Sequence, residues 1–124
     1  MAHIVATRAL LDGGLADLRE AHTVTVCAPP DGSTRSVEEL IALSDGADVL
    51  LTMLADPVAA PLFEARPQLK LVAQYAVGVD NIDLAAAEAH GVAVTHTPGV
   101  LTDATADLTW ALLLAAARHV PAAD

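Results

Sequence analysis

Short β-rich runs alternate with helical patterns along the whole chain: "HIVAT", "LLDGGLADLREA", "TVTVCA", "SVEELIALSDG", "ADVLLTML", a helix near 61–65, "KLVAQYA", a helix near 83–90, "GVAVTHT", and a long helix near 102–119. A strand followed by a helix about five times over leaves few solutions. Consecutive parallel strands need a crossover, and the crossover helices then cover the sheet. The expectation is an open parallel sheet of about five strands with helices on both faces, ending in a long helix.

Punctuation fixes several boundaries. Ser36 and Glu39 have capping-box spacing, and Gly46 and Gly91 stand where left-handed residues end helices. Asp83 is a natural N-cap, and a start near Ala60 puts Pro61 in a first turn, where no N–H is missed. The stretch 28–36, "APPDGSTRS", is expected to be a surface connection.

At 124 residues the chain is about one domain and can bury a core without disulfides or metals. Aromatics make up only 2% of it, so the core is expected to be built from Ala, Val and Leu. Sixteen acidic against six basic side chains give a formal charge of −10, which opposes nucleic acid and anionic lipid as partners. The longest apolar stretch, 108–117, is too short for a membrane span and predicts a buried helix. No secretory signal is legible at the N-terminus, so the cytoplasm is the expected location. Cys27 stands alone and reads as a small core residue.

In open parallel sheets ligands gather beyond the carboxyl ends of the strands. The positions there are Thr7 and Arg8; Thr52, Met53 and Leu54; Ala76, Val77 and Gly78; and His96, Thr97, Pro98 and Gly99. They contain no Ser-His-Asp set, no carboxylate pair and no His cluster of metal spacing. What "AVGVDN" offers is backbone: with no Cβ on Gly78, a small carboxylate can approach the amides of Val77 and Gly78. The alternative is that Gly78 only permits a tight turn, and the local pattern leaves both open. Asp80 and Asp83 read as turn and cap residues rather than metal ligands, and His96 as a loop residue rather than a general acid.

The run "AQYAVGVDNIDLAAAEAHGVAVTHTPGVLTDATADLTWALLLAAAR", with "LLTMLAD" and "VATRALLDGGLADL" before it, resembles the D-isomer-specific 2-hydroxyacid dehydrogenases, most nearly the glyoxylate and hydroxypyruvate reductases. The resemblance implies a flavodoxin-like substrate-binding segment over 1–124, with a nicotinamide-binding Rossmann domain outside it. It implies that Val77 and Gly78 clamp the carboxylate of a small 2-oxo acid, that Met53 and Leu54 line the opposite wall, and that Thr105 faces bound NAD or NADP. His96 replaces an Asn common in that family. The chain has no G-x-G-x-x-G fingerprint, and the family's catalytic Arg, Glu and His are expected beyond residue 124. A non-catalytic binding or oligomerisation module of the same fold is the alternative. A phosphoacceptor receiver would need acidic residues where Thr7, Arg8 and Thr52 stand, and an FMN binder a better phosphate loop than "TRALLDGG".

The last helix is apolar almost all round, more than one small domain can cover. A two-fold homodimer with residues 110–114 at or beside the contact is therefore expected, and the resemblance implies the same.

Overall fold

The computed structural model describes residues 1–11, 13–29 and 33–120. Its five strands are β1 (His3–Ala6), β2 (Thr23–Val26), β3 (Val49–Thr52), β4 (Leu71–Gln74) and β5 (Ala93–Thr95). The helices between them are α1 (Ala16–Ala21), α2 (Val37–Leu43), α3 (Ala60–Ala65) and α4 (Leu84–Ala89), with α5 (Thr102–Ala117) last. All strand pairs are parallel, in the order β2-β1-β3-β4-β5. This is the flavodoxin-like order, so the expected architecture is the one the chain adopts.

Period-two burial decides which face carries the core. In β3 and β4, Leu50, Thr52, Val72 and Gln74 are buried, while Val49, Leu51, Leu71 and Ala73 are only half-covered. The buried face meets α2, α3 and α4, which pack side by side and contribute Leu40, Leu62, Phe63 and Ala87 to one cluster with Val5, Leu50 and Val72. On β1 the opposite face is covered too, at Ile4 and Ala6, and α1 lies against β2. Cys27 packs against the core, as a small apolar residue would.

The helix ends follow the local chemistry. Ser36 and Glu39 form the reciprocal capping box, and Asp83 accepts from the Ala86 amide at 2.9 Å. Pro61 sits in the first turn of α3. After α4, Gly91 at φ +69° lets its own amide reach Glu88 and the Val92 amide reach Ala87, the paired bonds of a Schellman ending.

Two expectations need correction. The first helix is shorter than "LLDGGLADLREA" suggests, because Gly13 at φ +81° holds a turn before it and the helix begins only at Ala16. The apolar stretch 108–117 is not a buried helix: no residue of α5 is buried, and Leu108, Trp110 and Leu113 are 60%, 64% and 54% exposed. Apolarity on every side gives a helix no reason to choose one face, and no other element among the described residues buries it. Of the expected surface connection 28–36, residues 30–32 lie outside the described residues, and so do residues 121–124.

Candidate functional site

The reversal of strand order falls between β1 and β3, where a ligand crevice is usual. Here side chains fill it. Thr7 and Asp56 are buried, the Thr7 hydroxyl donates to Asp56 Oδ2 at 2.5 Å, and the Met53 amide donates to the same oxygen at 2.8 Å. The open ground lies one crevice further on, among the loops after β3, β4 and β5 and the start of α5.

A chain of side-chain amides builds that ground. Gln74 ends β4 on the core face, almost completely buried, and Thr52 stands opposite it in register on β3. The Thr52 hydroxyl donates to Gln74 Oε1 at 2.6 Å, which turns the Gln74 amide nitrogen toward Asn81 Oδ1 at 2.7 Å and the Gly78 carbonyl at 3.4 Å. Asn81 Nδ2 in turn donates to the Met53 and Asp56 carbonyls at 3.1 and 2.8 Å. Leaving a buried amide without partners costs about 1–3 kcal/mol, so each group is held in one orientation by the next. The loop carrying Met53 and Leu54 is thereby tied to the loop carrying Val77 and Gly78. Backbone bonds reinforce the tie, from Val58 to the Asn81 carbonyl and from Asp83 to the Val58 carbonyl.

Within the loop after β4, three successive carbonyls are anchored. Ala76 accepts from the Thr97 amide at 3.0 Å, Val77 from the His96 ring Nδ1 at 2.8 Å, and Gly78 from Gln74. In a trans peptide the N–H points away from the C=O of the same unit, and the described residues have no cis bond. The amides of Val77, Gly78 and Val79 thus point away from their anchors, and none donates to an acceptor among the described residues. Unpartnered N–H groups in series are the backbone form of an anion site.

Gly78 answers the turn alternative. Its φ is not in the left-handed region, unlike those of Gly13, Gly46, Gly91 and Gly99, so the turn does not require glycine. A Cβ there would stand 3.9 Å from Leu54 Cδ1 and 3.5 Å from Asp80 Oδ2, in the gap between the two loops. The missing side chain keeps that gap open.

Val77, Leu101, Thr102, Thr105, Ala106, Thr109 and Trp110 line an open hollow of about 520 Å³. The structure therefore joins Val77 with Thr105 and faces Gly78 with Leu54, while Met53 enters through its backbone. Half-exposed Leu54 and Val77 leave apolar surface for a small ligand. Of the chain's cations, Arg66 pairs with Asp45 and Lys70 with Asp48, while Arg8 donates to the Ser33 carbonyl and Arg35 to the Thr7 carbonyl. Among the described residues there is no group of three or more His, Cys, Asp or Glu that could hold a metal, and no helix long and apolar enough to cross a membrane.

Gln74, Asn81 and His96 carry this geometry, and the reading of the sequence did not single them out as a group. A Gln ending the apolar run "KLVAQ" was the available signal, since a buried amide needs partners.

Residues 4–120 match the family described as D-isomer specific 2-hydroxyacid dehydrogenase, catalytic domain. Glyoxylate reductase of Korarchaeum cryptofilum is 44% identical over 124 residues, covering 98% of this chain and 36% of that protein. The chain thus spans just over a third of the length of the curated relatives it matches. Among solved structures, TT0316 protein from Thermus thermophilus superposes with a TM-score of 0.86 at 44% identity, covering 95% of this chain and 37% of that one. The cofactor (NAD+) bound 3-phosphoglycerate dehydrogenase of Entamoeba histolytica has a TM-score of 0.74 over 92% of this chain and 38% of its own, and at 21% identity it shares the fold.

Proposed function

The chain belongs to the D-isomer-specific 2-hydroxyacid dehydrogenase family, and from that footing we propose that it is the substrate-binding part of an NAD(P)-dependent reductase that converts a small 2-oxo acid, glyoxylate or hydroxypyruvate, to the D-2-hydroxy acid. One observation carries the reading: the amides of Val77, Gly78 and Val79 lie unpartnered beside the gap between the loops after β3 and β4, into which Gly78 sends no side chain.

The role of these residues is orientation. The amides of Val77 and Gly78 hold the carboxylate, Met53 and Leu54 bound the gap opposite, and one face of the carbonyl is turned toward the hollow beside Thr105. That hollow, mostly apolar and lined by Thr102, Thr105, Thr109 and Trp110, fits a nicotinamide ring at its mouth. NAD or NADP bound there would supply hydride to the carbonyl carbon. The Asp80 carboxylate near Gly78 works against an anion, so this reading calls for a positive group and a proton donor beyond the residues described at this site. The partners we propose are a small oxo acid and a second copy of the chain, in the cytoplasm. The charge of −10 argues against nucleic acid and membrane surfaces.

A steady-state assay tests this. The full-length protein should oxidise NADH or NADPH in the presence of glyoxylate or hydroxypyruvate, and the 124-residue chain alone should not. Turnover by the 124-residue chain, or none by the full-length protein with either acid and either cofactor, would refute it.

A second reading, as a non-catalytic oligomerisation module, draws on the uncovered α5. Assembly without turnover in the same assay would favour it.

A further inference from the structure

The peptide between Val77 and Gly78 is the unit whose N–H stands at the centre of the clamp, and its carbonyl is held by one side chain. His96 follows β5 and places Nδ1 2.8 Å from the Val77 oxygen. A carbonyl can only accept, so Nδ1 carries the proton. The neighbouring peptides are fixed differently, one by the Thr97 amide and one by the Gln74 side chain. Without His96 the middle peptide is free to rotate between two anchored neighbours, and a rotation that turns the carbonyl toward the gap presents an acceptor to an incoming anion.

We propose that His96 is a positioning residue: by holding the Val77 carbonyl it aims the Gly78 N–H at the substrate carboxylate. This rests on the reading of Val77 and Gly78 as the carboxylate clamp. His96 touches no reacting atom. Its side chain is exposed and anchors no part of the core, so its loss should change the clamp without changing the fold. The requirement is for a donor two bonds beyond Cβ. Asn meets it with its side-chain amide nitrogen; Ala and Leu do not.

The test uses the full-length enzyme with glyoxylate as varied substrate and oxamate as a non-reacting carboxylate probe. His96→Ala and His96→Leu should each raise the KM for glyoxylate and the inhibition constant for oxamate about tenfold, the weight of one hydrogen bond to a charged group. The kcat and the KM for the nicotinamide should stay within about twofold, because the bond is made equally in ground and transition states. His96→Asn should restore wild-type values, and all three variants should melt with the wild type. Gly78→Val separates the two levels of inference. If Gly78→Val leaves the glyoxylate KM unchanged, the clamp reading itself fails. If Gly78→Val raises it while His96→Ala does not, or if His96→Asn behaves like His96→Ala, the clamp stands and the role of His96 is overturned.

Discussion

At Gly78 the difference between a plain turn and the proposed carboxylate clamp rests on very little. Its backbone lies outside the left-handed region, and an added Cβ would meet Leu54 and Asp80 only at ordinary contact distances. Gly78→Ala should therefore fold normally and bind the oxo acid with little loss. Gly78→Val places two further methyl groups into the gap toward Leu54, and should raise the KM for the oxo acid about tenfold with nicotinamide affinity unchanged. Kinetics of the two variants in the full-length enzyme check this. An equal loss of both affinities would mean misfolding instead. The residue pattern brought Val77 and Gly78 into view but not the reason they stay open. That reason is the anchoring of carbonyls by His96, Gln74 and Thr97, three contacts between elements distant in sequence that no local pattern encodes.

Elements were legible where chemistry is local. The capping box before α2, the Asp83 cap of α4 and the Gly91 ending each depend on residues within one helical turn, and all stand where the sequence places them. The parallel order was legible because alternation and crossover leave little choice. Between elements the polar ties are less visible. Asp48, at the entry to β3, accepts from Lys70 Nζ before β4 at 2.7 Å and from the His3 amide of β1 at 2.9 Å. The Lys70 bond first, and the His3 amide second, hold its carboxyl below the ordinary 3.8. A pKa lowered by folding means stabilisation that is complete above the ordinary value and lost as pH falls through the folded one. Asp48→Asn should therefore flatten the acid limb of the stability curve below about pH 4 and reduce its salt sensitivity there. Thermal unfolding between neutral pH and about pH 3, at low and high salt, measures it.

At the scale of the whole molecule the sequence was misleading in one respect and informative in another. A run such as "LTWALLLAAA" suggests burial, yet nothing among the described residues covers it: Trp110, Leu112, Leu113 and Leu114 are all more than half exposed. A contiguous apolar surface of this kind marks an interface. With a second copy as the occupant, a two-fold contact would bring residues 110–114 of both chains together. The expected outcome is that the protein scatters light as a dimer and that Leu113→Glu shifts it to monomer while leaving the sheet's circular dichroism intact. A wild-type monomer at high concentration, with an unchanged mass for the variant, would exclude that occupant.

Isolated helices shorter than roughly 12–15 residues are marginal in water, and α5, at 16 residues, is only just longer. With no residue of its own buried in the domain, most of what stabilises it must come from whatever covers it. With a second copy as that cover, order in α5 and assembly would be one linked equilibrium. Its helicity should rise with protein concentration, and part of the free energy of association is spent ordering it. The start of that same helix carries Thr105 and the wall of the hollow, so with a second copy as the cover the shape of the proposed cofactor side would be a property of the assembled protein rather than of the single chain.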